Sequence, residues 1–561
     1  MMKNKIFITT LVSLIANSSI AQTQLPPDTF KVVKEYEPTL IDANKINFDP
    51  VIDDDLKIEL DLNYSFISKQ LPVKFQVEPI LSAKIKGEPL LKLYNGYARL
   101  GVGNALLPFG ELYYNNSRSK EYSFGGHVRY YNMAEVNNIE GIDNQYLHAE
   151  LFGKRFWKRN TLSSTISFDR QNFNYYGYYK LDNPQNRVEL QKQDLEQYYN
   201  RFSAQVALKT TKQDSFNLRY SGDIRYELTT NAMNHQENNV VLNANLSQFK
   251  NSELYNLDIL VDYNQYQFNK NSTIIGIKPQ VSTIGDKFRI NAGLGIFIDA
   301  DSQADFHFYP IAEIKYNVID NILVPYIGIN GEKRRVNYAS ITKENLFVAN
   351  DIKLRNTNEK FNLYAGVRGT LSKKLSFNLS GSFKRTTDDY LFVQVTDTNR
   401  ALSKVYYAVY DEIDELNFKG EMAYQVNEKI TLYGQANYFI FETIDQAEAW
   451  HRPDVKASIS GAYNLRNKII LKTDLIFWGE QFARGEANLD VNNTIIDYNV
   501  IDYNVVKLKS IFDANLNVEY RYTKRLSAFV QFNNIGGINF EKYKDYPTQG
   551  FNVWGGLTYA F

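Results

Sequence analysis

The chain has 561 residues, and its 63 basic and 63 acidic side chains cancel, so no global field draws it toward nucleic acid or an acidic substrate. It contains no cysteine, which excludes disulfides, thiolate metal sites and cysteine nucleophiles together. Tyrosine (41) and phenylalanine (35) are abundant in an otherwise polar sequence, and the placement of those rings has to explain the combination.

In chain order, Lys3 and Lys5 precede an apolar run from Ile6 to Ile15, and Ser19 and Ala21 supply small residues before a cut near Gln22. This predicts a secretory signal peptide over residues 1–21, its apolar part too short to cross a bilayer. No later run of about 18 apolar residues occurs, so no transmembrane helix is expected. Residues 22–93 hold seven of the 14 prolines (Pro26, Pro27, Pro38, Pro50, Pro72, Pro79 and Pro89) and the acidic run Asp53–Asp55. So much proline predicts an extended, loop-rich segment, periplasmic or luminal.

From residue 94 to 561 apolar and polar side chains alternate with a period of two. Phe512, Ala514, Leu516, Val518, Tyr520 and Tyr522 fall on one face of their segment, against Asp513, Asn515, Asn517, Glu519 and Arg521. Phe216, Leu218, Tyr220, Ile224 and Tyr226 likewise oppose Asn217, Arg219, Asp223, Arg225 and Glu227. Successive strand residues point to opposite faces, so each segment has a greasy and a charged surface. The strands run about 10–14 residues, which suits a tilted membrane crossing. The prediction is all-β: a closed antiparallel transmembrane β-barrel of about 22 strands, with 20–24 admissible.

The connections alternate as well. Short polar turns are expected at Ser117–Lys120, Lys158–Asn160, Thr211–Asp214, Lys250–Glu253, Ser372–Lys374, Asn427–Lys429, Arg466–Lys468 and Tyr522–Lys524. Long loops are expected at 171–197, 333–357, 388–413, 443–452, 482–506 and 536–549. Short periplasmic turns and long outer loops are the arrangement of an outer-membrane barrel. Closure follows because lipid offers backbone N–H and C=O groups no partners. Pro108, Pro279, Pro310 and Pro325 fall within or beside strands and are expected to mark bulges or strand ends.

In the last strand Phe551, Val553, Leu557, Tyr559 and Phe561 take the lipid side, while Asn552, Trp554, Thr558 and Ala560 face inward. This segment resembles the terminal strand of outer-membrane barrels, which implies that Leu557, Tyr559 and Phe561 are read by the barrel-assembly machinery. Twenty-two strands about 4.8 Å apart and tilted about 40° give a diameter near 44 Å, a class that is normally plugged. In strand number and in having an N-terminal segment, the chain resembles the TonB-dependent receptor family. The stretch Asp28-Thr29-Phe30-Lys31-Val32-Val33 is similar to the apolar box such receptors offer their energising partner. Residues 22–93 supply only about half of that family's plug.

Motifs for chemistry are sparse. Gly101-Val102-Gly103 is not followed by the third glycine of a phosphate loop, and His127, His148, His235, His307 and His451 lack metal-ligand spacing. No cofactor and no enzymatic activity are expected. Asp299, Asp301 and Asp305 are the weak metal candidates, placed in an outer loop with oxygen ligands suited to calcium. Ile-Asp-Tyr-Asn-Val occurs twice in tandem over 496–505, a candidate recognition surface. Arg219, Asp223, Arg225, Glu227, Asp513, Glu519 and Arg521 are expected to face the lumen, whose mixed signs predict no strong ion selectivity. Trp157, Trp554, Tyr520 and Tyr522 are placed near strand ends as interface anchors.

The reading is a bacterial outer-membrane barrel for solute passage or binding, TonB-dependent-receptor-like or porin-like. Its surroundings are outer-membrane lipid, and residues 22–93 are offered to a periplasmic or outer-membrane protein partner. The alternative is a scaffold or assembly subunit whose barrel anchors a complex, with residues 22–93 as a docking strap.

Overall fold

Alternation becomes β-structure along almost the whole of the barrel region. The computed structural model describes residues 94–116, 118–133, 142–177, 195–211, 218–269, 271–300, 304–319, 322–397, 403–485 and 503–561. The expected signal peptide, the proline-rich segment, Asp301 and most of the tandem repeat lie outside these residues.

The first strands are β1 (Gly96–Gly103), β2 (Leu106–Asn115), β3 (Tyr122–Met133), β4 (Asn144–Phe156), β5 (Asn160–Asn174) and β6 (Glu196–Thr210). Then come β7 (Leu218–Asn231), β8 (Gln236–Lys250), β9 (Glu253–Tyr266), β10 (Ser272–Ile284), β11 (Phe288–Ala300) and β12 (Ala304–Tyr316). β13 (Val324–Arg334) is followed by helix α1 (Tyr338–Glu344), β14 (Thr357–Ser372), β15 (Leu375–Asp397), β16 (Ser403–Asn427) and β17 (Ile430–Thr443). The rest are β18 (Val455–Leu465), β19 (Ile469–Trp478), β20 (Gln481–Arg484), β21 (Val505–Leu508), β22 (Ile511–Arg521) and β23 (Leu526–Asn533). Last are β24 (Glu541–Tyr543), β25 (Tyr546–Pro547) and β26 (Asn552–Ala560).

Twenty-two of these strands form one antiparallel sheet, and β1 pairs with both β2 and β26, so the sheet closes on itself. β20–β21 and β24–β25 are two small separate hairpins. At the closure the N–H groups of Asn95 and Gly96 donate to the Phe561 carbonyl at 2.9 Å, and the Phe561 N–H returns to Gly96 at 2.9 Å. The Phe561 ring lies over Gly96, where any Cβ would overlap it. The expected short turns that fall within the described residues lie at the end of the barrel that carries this closure, while Ser117 and residues 212–214 lie outside those residues. One of them, Leu465–Lys468, is a two-residue turn with Arg466 and Asn467 at φ 53° and 55°, the handedness that matches strand twist.

The outer face is apolar: Leu100, Leu151, Ile459 and Leu557 are exposed along their strands. A closed antiparallel barrel with such a belt is the architecture of outer-membrane proteins. Trp157, Tyr520 and Tyr522 are exposed, but Trp554 is not an interface anchor. It is buried on the inner side with Phe109 and Phe529, and the Arg99 guanidinium sits over all three rings at 4.6, 5.4 and 4.0 Å. Ring-end polarity favoured the interface; a cation available inside the wall decided otherwise.

The prolines act individually. Pro108 sits at a register shift between β2 and β3. Pro279 removes two pairs from the β10–β11 ladder, which resumes in the same register on either side. Pro310 and Pro325 border a shorter ladder, between β12 and β13.

Of the expected loop 388–413, the described residues 389–397 and 403–413 are strand rather than loop. β15 and β16 remain paired from Asp389↔Asp411 to Asp397↔Ser403, past a bulge at Thr386/Asp389. Leu391, Phe392 and Val393 are all buried in succession, so both faces of this hairpin are covered and the two-residue period vanishes from its sequence.

Candidate functional site

Chain connecting β13 to β14, residues 335–356, turns back across the inner wall at the end of the barrel opposite the Gly96–Phe561 closure. Two side chains fix its neck. Arg335 Nε donates to the Asp262 carboxylate at 3.1 Å, and its Nη2 donates to the carbonyls of Asp262 (2.8 Å) and Ser272 (3.2 Å). Asn356 Nδ2 donates to Asp299 at 3.1 Å, while its Oδ1 accepts from Arg335 Nη1 at 3.1 Å. Entry and exit of the loop are therefore tied to each other and to β9 and β11.

Within the loop, Asn337 starts α1. Its side chain accepts from the Ser340 N–H at 2.8 Å, and Ser340 Oγ accepts from the Asn337 N–H at 3.1 Å, a reciprocal cap. The wall supplies a second cap: the Glu237 carboxylate on β8 accepts from the N–H groups of Tyr338 (2.8 Å) and Ala339 (2.9 Å). A carboxylate at these first N–H groups is favoured by both hydrogen bonding and the helix dipole. Arg201 donates to Thr342 at 2.9 Å, and Lys343 reaches Glu227 at 2.9 Å.

After the helix the backbone is held by wall side chains. Tyr199 donates to the Leu346 carbonyl (3.0 Å), Tyr175 to Val348 (2.8 Å), and Asn350 donates to Gln197 (3.0 Å). Asn269 and Leu354 bond each other in both directions. Buried backbone groups left without partners cost free energy comparable to a lost hydrogen bond, so this set fixes the loop's path. Ile341, Val348 and Ile352 complete an apolar cluster with Phe173, Tyr199, Tyr266 and Tyr338.

Other connections stack on top. The hairpin of β15–β16 lays Phe392 and Tyr406 on this cluster, and Val348 pairs with Tyr406 through the N–H of Ala349 and of Tyr406, both at 2.9 Å. The loop carrying β24 and β25 adds Tyr543 and Tyr546, and Tyr546 stacks on Phe347 at 3.6 Å. The hairpin's other face packs on Ala449 and Trp450. Asp411 pins that last loop by accepting from the N–H groups of Ile444, Asp445 and Gln446 at 3.2, 3.0 and 2.8 Å.

His451 lies beneath this roof, fully enclosed. Its Nδ1 donates to the Phe392 carbonyl at 3.1 Å, and Nε2 meets no partner among the described residues. Burial drives its pKa down to about 3, and the charges of Lys542 and Lys544 act in the same direction. Asp545 is held below the usual carboxylate range despite burial, because Lys404 (2.8 Å) and Lys544 (2.9 Å) bond to it.

The expected site residues divide. Arg219, Asp223, Arg225 and Glu227 share the β7 face that carries Glu227 to Lys343, and Asp223 also accepts from Gln205 at 3.1 Å. Asp513, Glu519 and Arg521 share one face of β22, with Arg521 bonded to Glu519 at 2.9 Å. Leu557, Tyr559 and Phe561 are exposed on the outer face. Asp299 and Asp305 are strand residues directly opposite each other rather than loop residues. Asp299 is engaged by Lys333 at 3.2 Å and by Asn356. Arg335, Glu237 and Asn350 were missed, since each works through partners far away in sequence; only the unusual length of the 333–357 connection marked the place.

No family model matches the chain, and no curated protein matches it. Solved structures do. The siderophore receptor PirA from Acinetobacter baumannii is 12% identical, with a TM-score of 0.62 over 84% of this chain and 81% of its own. The pyoverdine receptor FpvA from Pseudomonas aeruginosa PAO1 is 9% identical, with a TM-score of 0.61 over 84% and 79%. The ferric-catecholate import receptor Fiu from K12 E. coli is 10% identical, with a TM-score of 0.59 over 83% and 82%. The chain has the fold of the TonB-dependent receptors. These neighbours are receptors and transporters, and FpvAI is also described in complex with pyocin S2.

Proposed function

We propose that the chain is a gated outer-membrane barrel for solute binding or passage, whose outer mouth is closed by its own connection 335–356. The observation that carries this reading is the double anchorage of that connection, at the Arg335–Asn356 neck and at Glu237 under α1. A plug tied at its neck and supported by buried hydrogen bonds can leave as a unit when a ligand or partner competes for those bonds. The fold likeness to siderophore and metal receptors supports a solute as the cargo, and no catalytic step is part of the reading. Export through residues 1–21, recognition of Leu557, Tyr559 and Phe561 by the assembly machinery, and partner contact through residues 22–93 belong to the same proposal.

Planar-bilayer conductance tests it. The intact protein is expected to be closed, and a variant with residues 337–354 replaced by a short Gly-Ser linker is expected to conduct. A variant lacking residues 22–93 is expected to stay closed. A closed linker variant of normal barrel content would overturn the proposal.

A further inference from the structure

The seam between β12 and β13 is paired over only four positions, Ala312–Lys315 with Tyr326–Ile329. β12 is nonetheless paired with β11 along its whole length, and β13 follows β14 up to Arg334. From Ile311 to Ala304 on one side and Asn330 to Arg334 on the other, no ladder pair joins the two strands among the described residues. Pro310 explains where the split begins. The β11 ladder runs through Pro310↔Leu294 without a break, so the missing donor falls on the β13 side. Opposite it, β13 bulges at Gly331, whose backbone meets the Tyr309 ring.

A gap in a ladder at membrane depth is costly, because lipid satisfies none of the freed backbone groups. Beside the gap, one on each edge, His307 Nε2 and Asn330 Oδ1 are buried without hydrogen-bond partners among the described residues. The strands are held across the split from the lumen side instead. Lys333 pairs with Asp299 at 3.2 Å, Lys278 with Glu332 at 3.0 Å, and Tyr309 donates to Asn358 at 2.7 Å.

The surfaces on either side of the split are apolar. Inside, where barrel walls are ordinarily polar, Ile274, Phe297 and Tyr309 form a buried cluster against Leu260, and Gly276 makes room for the Phe297 ring. Outside, Phe306 and Phe308 are 62% and 63% exposed on the same stretch of β12. β13 then leads straight into Arg335, the neck of the mouth-closing connection.

We infer that the β12–β13 split is a lateral portal that opens to let the acyl chain of an outer-leaflet lipid enter the apolar cluster of Ile274, Phe297 and Tyr309 beside Leu260. This deepens the passage reading by naming an amphiphile as the class of molecule the barrel admits. The Lys333–Asp299 and Lys278–Glu332 pairs are its latches, and release of the Arg335 neck loosens the first, since Asn356 shares Asp299 with Lys333.

The protein is reconstituted in phospholipid bearing a diazirine on its acyl chain, irradiated, and its adducts are mapped by mass spectrometry. Adducts are expected on Phe306 and Phe308 and also on Ile274, Phe297 and Tyr309. Because the chain has no cysteine, Ile311→Cys with Asn330→Cys gives a single disulfide across the split. Oxidation should abolish the inner adducts, keep the outer ones, and be reversed by reductant. Pro310→Val, which restores the missing donor, should reduce the inner adducts without any cross-link. Adducts confined to Phe306 and Phe308 in the unmodified protein would overturn the portal, whatever the conductance. Inner adducts in a protein whose linker variant never conducts would keep the portal and reject passage through the mouth.

Discussion

Arg335 grips Asp262 at two points, its Nε on the carboxylate at 3.1 Å and its Nη2 on the backbone carbonyl at 2.8 Å. The first bond is electrostatic and the second depends on the shape of the guanidinium. Arg335→Lys should therefore behave much more like Arg335→Ala than charge conservation alone would give. Removing one partner of a buried pair costs about 3–5 kcal/mol, here concentrated at the neck of one loop. Both variants should show bursts of conductance and faster protease cleavage within 337–354, at unchanged barrel content. A Lys variant as closed as the parent would refute the shape argument.

Phe347 and Tyr546 join two connections that also meet where the Tyr543 hydroxyl donates to the Glu344 carbonyl at 3.0 Å. Their rings stack at 3.6 Å at the centre of the roof. Tyr546→Ala removes this stack and leaves a cavity, a change worth about 3–5 kcal/mol for a buried aromatic side chain. Hydrogen exchange at Val348 and Ala349 should accelerate strongly, with β1–β9 unaffected. Equal protection in the variant would show that the roof does not close as one unit.

Acid should open the roof through His451. Its folded-state pKa of about 3 lies below the ordinary value of 6.5, so the unfolded loop binds the proton more readily. Roof stability from this group is complete above pH 6.5 and falls toward pH 3, by about 1.4 kcal/mol per pH unit. Conductance or protease sensitivity should rise on acidification over that window, and His451→Phe should flatten the response. A profile unchanged by that substitution would assign the effect elsewhere.

Closure of the barrel depends on a bare Cα at residue 96. Gly96→Val would displace the Phe561 ring from the β1 edge and should lower the fraction of protein that migrates as a folded barrel before heating. Phe561→Leu should be milder, since it keeps an apolar side chain and the backbone bonds.

The wall was legible because each spanning strand has lipid on one side and a polar interior on the other, which writes a period of two into the sequence. Arg219 to Glu227 could be assigned to one face by counting. The roof was not legible for the same physical reason turned around. Tyr390–Val393 is covered on both faces, so its apolar run matched neither alternation nor a polar loop. Asn350 and Glu237 look like ordinary polar residues until Gln197, 153 positions away, and Tyr338, 101 positions away, are brought alongside them. Trp554 was doubly readable, and only the cation of Arg99 chose between its two places.

The bonds between Gly96 and Phe561 join residues 465 apart (561 − 96), so the first strand is made long before its closing neighbour. A ring sealed at such a separation forms late, and until then two unpaired edges coexist with a full set of greasy outward side chains. Until then the β1 edge lies open to mispairing, and only the strand ending in Phe561 completes its hydrogen bonds. Phe561 thus acts as a timing device: its arrival, rather than the accumulation of strands, is what turns an aggregation-prone ribbon into a sealed wall.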